Sequence, residues 1–349
     1  MSEREPLAAM LSAFLAQPRD ARLALHAGAA LQRAGYEAEA AAIWSLGDDV
    51  NPGLRRVKDD PKAPQEVRRD SAAADKAMRV HFTRLHDIAV DRFEAARGAK
   101  VDRVRKAVWP LTHDGPVEFR EPMQQPVIFY MPDLPAMPVT PNEALGWVCD
   151  LEKVWDEVRG EYQAVVQTGV DGEPYVPAST SEPKWSKLRG ELDWSAIHIF
   201  KNAGPTQFTE SFPRTRAAIE AADLVRIDGA PMEAFFSRLK PGAHIPPHYG
   251  LTNTRLTVHL PLIVPQDCGI RVGETTHHWR EGEIVAFDDS YEHEAWNYSH
   301  RDRVVLIFET HHPDLSQDEK DAIEDAYSVR QNWLKDRFSL LKACAARLR

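Results

Sequence analysis

In the stretch Arg255-Leu-Thr-Val-His-Leu260, polar and apolar side chains alternate without a break. Successive side chains of a β-strand point to opposite faces, so Arg255, Thr257 and His259 share one face while Leu256, Val258 and Leu260 share the other. With the leucine face packed outward on the rest of its domain, the polar face lines the interior of a barrel. A cation and an imidazole are costly there unless they meet a ligand, and an anion would satisfy both. Around this strand, residues 194–200, 235–239, 270–272, 283–287 and 303–310 are short, β-branched or alternating, and are separated by Gly, Pro or Asp turns. That punctuation predicts further strands and a barrel.

Two histidines lie about forty-five residues apart in strand-like contexts, His248 in Pro-Pro-His-Tyr-Gly and His293 in Phe-Asp-Asp-Ser-Tyr-Glu-His-Glu-Ala-Trp, and Arg303 follows ten positions later. Two imidazole nitrogens can hold iron(II) while coordination positions stay open for dioxygen, and a guanidinium at a strand entrance is suited to a bidentate carboxylate such as the far end of 2-oxoglutarate. This is the layout of a non-haem iron oxygenase. Ser237, in Phe-Phe-Ser-Arg-Leu, offers a neutral hydrogen bond to the same anion. His244, four residues before His248, is a rival ligand; His26, His277, His278, His300, His311 and His312 read as structural or surface residues. Asp288, Asp289, Glu292 and Glu294 form either a solvated turn or a set of groups that orient His293.

The block 235–315 resembles the aspartyl/asparaginyl β-hydroxylase family. The resemblance rests on Ser237, Lys-Pro-Gly-Ala-His, Pro-His248-Tyr-Gly, Thr-Asn-Thr-Arg255-Leu, His259-Leu, Phe-Asp-Asp-Ser-Tyr-Glu-His293-Glu, Arg303 and His-Pro-Asp-Leu. It implies an α+β chain whose catalytic domain is a double-stranded β-helix, or jelly roll, and an iron(II)- and 2-oxoglutarate-dependent dioxygenase that hydroxylates an unactivated carbon of an acidic or amide-bearing substrate. By position, it makes His248 and His293 the metal ligands and gives Ser237 and Arg303 the distal carboxylate of 2-oxoglutarate, with His259 assisting; Arg255 and Thr257 face the substrate. The acid that most 2-oxoglutarate oxygenases carry two residues after the first histidine is Gly250 here, an absence the family shares. The family's substrate-recognising arginine two residues beyond Arg255 is Thr257, which removes a bidentate clamp. An iron position without a carboxylate could also accept chloride, so halogenation is an alternative; a non-catalytic scaffold protein with a relic barrel is another.

Upstream, residues 9–46 are alanine-rich and helical in pattern, and Gly28, Leu31, Gly35, Ala40, Trp44 and Pro52 fall at the offsets of one tetratricopeptide repeat. About three such repeats are needed to close a solenoid, so a helical pair packed on its neighbours is the favoured reading of this TPR-like region. Met78, Phe82, Leu85, Ile88 and Phe93 predict an amphipathic helix ending at Gly98. Seven prolines between Pro110 and Pro138 make long helices improbable beyond that point, so the reading divides the chain into a helical part, 1–104, and a catalytic part, 105–349. A helix over 142–166 and a last one opening at Ser316 and Glu319 complete the pattern. That last helix, with Ile323, Tyr327, Leu334, Phe338 and Leu341 on one side, would brace the barrel or meet another subunit.

The 349 residues carry a formal charge of −10, which argues against a nucleic-acid partner. No apolar run approaches the ~20 residues of a membrane span. Three cysteines at spacings that fit neither zinc nor a disulfide framework agree with a reducing compartment. Together with a start, Met-Ser-Glu-Arg-Glu-Pro, that lacks the pattern of an export signal, they give a cytoplasmic expectation. A protein partner bound through the N-terminal helices and a homodimer are further expectations.

Overall fold

A side chain at Gly28 would collide with Trp44, since a Cβ there would lie 2.3 Å from the indole Nε1. The glycine is thus a notch that lets α2 (Ala21–Arg33) close on α3 (Glu37–Val50), with Trp44 donating to the carbonyl of Leu25 at 3.1 Å. With α1 (Arg4–Ala16) and α4 (Gln65–Arg97) they bury Leu11, Phe14, Leu31, Ile43 and Phe82 in one core. Gly98, at φ 68°, ends α4 in the left-handed conformation a C-terminal cap favours. The buried face of α4 runs through Ala74, Met78, Phe82, Ala89 and Phe93. Ile88 lies off it and is exposed, because its step from Leu85 leaves the stripe.

The computed structural model describes residues 4–227 and 229–348; the first three residues of the Met-Ser-Glu-Arg-Glu-Pro stretch lie outside it. The chain divides into Met1–Val117 with Asp318–Arg349, and Glu118–Gln317. This corrects the boundary read near residue 105 in two ways. Residues beyond 105 stay with the helices, next to the short α5 (Asp102–Arg105), whose Arg103 forks onto Glu319 with two contacts of 2.6 Å. The last helix, Gln317–Leu348, belongs to the helical unit rather than the barrel, because Leu341, Cys344, Ala345 and Leu348 sink into the core around Leu11 and Trp44. Phe338 does not join that stripe and is exposed. Among the described residues no helix is long and apolar enough to cross a membrane.

The second unit is antiparallel β with helices on one face. Its strands are β1 (Val139–Thr140), β2 (Glu173–Pro174), β3 (Trp194–Phe200), β4 (Arg226–Ile227), β5 (Ala230–Pro231), β6 (Ala234–Leu239), β7 (His244–His248), β8 (Arg255–Ile263), β9 (Cys268–Val272), β10 (Thr275–His277), β11 (Val285–Phe287), β12 (His293–Asn297) and β13 (Arg303–His311). One sheet has the order β1-β11-β8-β13-β6-β3-β2 and a second the order β10-β9-β12-β7; β4 and β5 pair separately. From β6 onward the chain alternates between the two larger sheets, except that β9 and β10 form a hairpin within the smaller one. The predicted leucine face packs as the sequence demands: Leu256, Val258 and Leu260 lie in a core with Leu151, Val158, Tyr162 and Ile219. Those four come from α6 (Val148–Lys153), α7 (Trp155–Gln167) and α8 (Pro213–Ile219). The helix read over 142–166 is therefore two helices, broken at Val154 and preceded by a single 3₁₀ turn. A separate apolar layer, with Trp194, Leu239, Ile245, Ile270, Val272 and Phe287, lies on the inner faces of the sheets.

Candidate active site

Antiparallel pairing of β7 with β12 makes His248 and His293 direct partners, which brings two histidines distant in sequence to within 4.0 Å between ring centroids. Each ring is held the same way: Nδ1 of His248 donates to the carbonyl of Pro246 at 2.8 Å, and Nδ1 of His293 to that of Tyr291 at 2.9 Å. A carbonyl only accepts, so these bonds fix the neutral tautomer whose Nε2 carries the lone pair. Burial pushes His248 down to about 3, helped by its neighbour His293, and burial pushes His293 down to about 4. Both imidazoles are therefore unprotonated and ready to ligate at neutral pH.

Arg303 opens β13 and is almost wholly buried, yet among the described residues no carboxylate pairs with it. Its Nη1 makes only long contacts to Ser237, 3.4 Å to Oγ and 3.5 Å to the carbonyl, and its Nε has no partner. The guanidinium rests 4.8 Å over the Trp279 ring, and burial lowers it to about 10. A buried cation so poorly served calls for an anion. Ser237 Oγ accepts from Trp194 Nε1 at 3.0 Å, so its own proton remains available. His259, two strands away in the same sheet, is held well below its ordinary value by burial, with Arg303 and His293 adding to the effect, and its Nδ1 is unpartnered. All five side chains line one cavity of about 390 Å³.

The register orders the cavity wall in rows. Thr257 faces Glu309 across β8 and β13; His259 faces Ile307, which faces Phe235; Val305 faces Ser237, and Arg303 starts the strand. Thr257 lines the cavity, but Arg255 does not: its Nη1 donates to Glu309 Oε2 at 3.0 Å. The alternation that groups Arg255 with Thr257 and His259 holds along the strand, while Glu309 draws the guanidinium aside.

The acids around His293 divide sharply. Glu292 and Glu294 grip Arg271 at 2.9 and 2.6 Å, and Glu294 also takes His244 at 2.8 Å. This removes His244 as a rival ligand. Asp288 caps the loop, accepting from Ser290 N at 2.9 Å and Gln124 Nε2 at 2.7 Å. Asp289 turns inward, accepts from Thr257 Oγ1 at 3.1 Å and is raised to about 8 by burial, Glu309 and Asp288. It stands over Gly250, where a Cβ would lie 2.1 Å from its Oδ1.

Glu233, Glu309, Tyr175, Trp185 and Trp194 also line the cavity and were not singled out for it by the sequence reading. Only Glu309 had a signal, two-residue periodicity from Arg303 through Val305 and Ile307. A separate group, His26, Glu66 and Asp70 of the helical unit, could approach a metal, but His26 already bonds Asp70 at 3.0 Å and Arg69 pairs with both acids.

The family described as Aspartyl/Asparaginyl beta-hydroxylase matches residues 152–313. Similar proteins include the ornithine lipid ester-linked acyl 2-hydroxylase of Rhizobium tropici, 32% identical over 174 residues that make up 49% of this chain and 59% of that protein. The aspartyl/asparaginyl beta-hydroxylase of Mus musculus is 32% identical over 50% of this chain and 22% of its own length. The aspartate beta-hydroxylase domain-containing protein 2 of Xenopus tropicalis is 28% identical over 60% of this chain and 56% of that one. The chain thus covers less than two thirds of the length of each of these relatives.

Proposed function

Because residues 152–313 belong to the aspartyl/asparaginyl β-hydroxylase family, we propose that this chain is an iron(II)- and 2-oxoglutarate-dependent hydroxylase built on a double-stranded β-helix. The observation that carries the reading is the pairing, in one cavity, of two Nδ1-anchored neutral imidazoles with a buried guanidinium that lacks a carboxylate partner. The residues fit the groups they would hold: His248 and His293 present Nε2 lone pairs to a metal, while Arg303 and Ser237 offer N–H and O–H donors to the distal carboxylate of 2-oxoglutarate. When bound, iron(II) with dioxygen supplies the oxidation that inserts one oxygen atom into a C–H bond and converts 2-oxoglutarate to succinate and carbon dioxide.

The chain's own residues do the positioning. His259, neutral and buried, offers its unpartnered Nδ1 beside Arg303 to the same carboxylate. Trp185 meets His248 edge-on at 5.1 Å, and Phe287 meets His293 at 5.6 Å, so aromatic surface keeps water from both rings. Asp289 fills the space before Gly250. Of the substrate groups read from the sequence, an acidic one is disfavoured, since Glu309 engages Arg255 and Thr257 brings no charge. The three cysteines are unpaired, in keeping with a cytoplasmic setting.

The test is succinate formed in step with 2-oxoglutarate loss by the iron-loaded chain, absent in His248→Ala and His293→Ala. Undiminished 2-oxoglutarate turnover in either histidine variant would refute the assignment.

A further inference from the structure

The cavity is polarised from end to end. Arg303 and Glu309 lie on the same face of β13, six residues and roughly 20 Å of strand apart, one at the floor and the other at the rim. At the floor stands the guanidinium without a carboxylate. At the rim the charges reverse. Ala234 is the partner of Phe308, so one step further along each strand Glu233 comes up beside Glu309, and both line the cavity. Facing acids in adjacent strands repel, and such a pair is tolerated when a cation lies between or near them.

What surrounds those acids is suited to a cation. Tyr175, partly buried, lines the cavity with both acids, and desolvation first, then Glu233, Glu309 and Asp289, push its phenol up. Glu233, Glu309 and Asp289 all line the same cavity as this ring. It stacks on Trp194 at 4.0 Å and on Phe235 at 5.2 Å, and Trp185 completes an aromatic wall. Rings beside carboxylates are the surroundings an ammonium or guanidinium prefers. Arg255 offsets one charge through Glu309, and His198 approaches Glu233 at 3.2 Å, but neither lines the cavity. Among the described lining residues the lone formal cation is Arg303, at the opposite end. That this space takes a ligand at all rests on separate groups, the unpartnered Nε of Arg303 and Nδ1 of His259, both more than nine-tenths buried in the same cavity.

We propose that the substrate carries a positively charged nitrogen, bound at the rim by Glu233 and Glu309 over the Tyr175 ring, with the carbon to be hydroxylated further in, toward His248 and His293. This deepens the hydroxylase reading and rests on it. A free amino compound or side chain and an amphiphile with an amine head would present the same nitrogen.

The experiment titrates the full chain, with and without iron(II) and 2-oxoglutarate under argon, with N-acetyl-lysine amide, N-acetyl-norleucine amide and N-acetyl-glutamate amide. N-palmitoyl-lysine amide in neutral micelles is the amphiphile arm. Trp185 and Trp194 fluorescence reports occupancy. A lysine probe should bind about ten-fold more tightly than norleucine, the effect of one charge-assisted hydrogen bond, and glutamate should bind more weakly than norleucine. Glu233→Gln should erase most of the lysine advantage while 2-oxoglutarate affinity holds. The arm that binds, short or long, identifies the source, and either supports the proposal. Norleucine or glutamate binding as well as both lysine probes overturns it, as does an advantage untouched by Glu233→Gln. If 2-oxoglutarate binds and the lysine preference is absent, the rim assignment fails and the hydroxylase reading stands; if lysine binds and 2-oxoglutarate does not, the reverse holds.

Discussion

Asp289 holds the volume that a side chain at Gly250 would need, with its Oδ1 2.1 Å from where a Cβ would be placed. A carboxyl group from β12's approach loop thus faces the backbone of the residue two positions after the first histidine. Gly250→Ala must push Asp289 aside. We expect it to cost about 1–3 kcal/mol as an overpacking defect, and the double variant with Asp289→Ala to recover most of that. Chemical denaturation of the four proteins in this cycle measures the coupling; additive effects would show that the two positions do not meet.

The floor of the cavity separates metal from co-substrate. His248→Ala and His293→Ala should each lose iron retention, whereas Arg303→Ala should retain iron and bind 2-oxoglutarate weaker by about 2–5 kcal/mol, the range for truncating a buried charge pair. Equilibrium dialysis against iron and fluorescence titration with 2-oxoglutarate distinguish the two losses. Parallel loss of both ligands in Arg303→Ala would assign the arginine to the fold rather than to the co-substrate.

Acid should weaken the metal-free domain through its histidines. His248 and His293 are lowered to about 3 and about 4 in the folded chain, against an ordinary value near 6.5. Between these limits the unfolded chain binds protons that the folded one refuses, so the stability each imidazole allows is complete above 6.5 and declines as pH falls. Asp289, raised to about 8, acts with the opposite sign, losing stability as pH rises from near 4. A comparison with His248→Gln cancels the aspartate. The stability of the wild type relative to that variant should fall by up to 1.4 kcal/mol per pH unit between 6.5 and 4, and a flat difference in urea unfolding would contradict the buried neutral ring.

In the helical unit, Gly28→Val should separate α2 from α3 by forcing a branched side chain against Trp44. We expect a loss of a few kcal/mol, comparable with that of Trp44→Ala, for which ~3–5 kcal/mol is usual. Calorimetry of both variants checks this; a Gly28→Val unit that melts at the wild-type temperature would mean the notch is not filled.

The barrel strands with regular alternation were legible because a two-residue period survives whatever surrounds it: Trp194–Phe200 is predicted to the residue, and Leu256, Val258 and Leu260 are buried as expected. The strand carrying the first histidine was legible only as a strand-like context, without bounds. His-Ile-Pro-Pro-His contains two prolines that rule out an interior strand, but β7 is the edge of its sheet, where a missing N–H costs little. Glu292 and Glu294 blurred the bounds of β12 in the same way, since their charges are absorbed by Arg271 from a neighbouring strand. Arg255 shows the limit of face assignment. Alternation gives the direction of a Cβ, while a long guanidinium goes to whichever carboxylate lies closest, and Glu309 is fifty-four residues away in the chain.

The return of Gln317–Leu348 to the core that α1 and α4 begin has a consequence for synthesis. A ribosome delivers α1 to α5 before the barrel, but their apolar surface cannot be sealed until Gln317–Leu348 emerges, by which time residues 118–317 are outside the tunnel. The barrel can therefore mature ahead of the bundle that precedes it, inverting the usual order in which domains fold from the N-terminus. A stop codon after residue 317 would leave the earliest helices, far away in sequence, as the part that chaperones and proteases find.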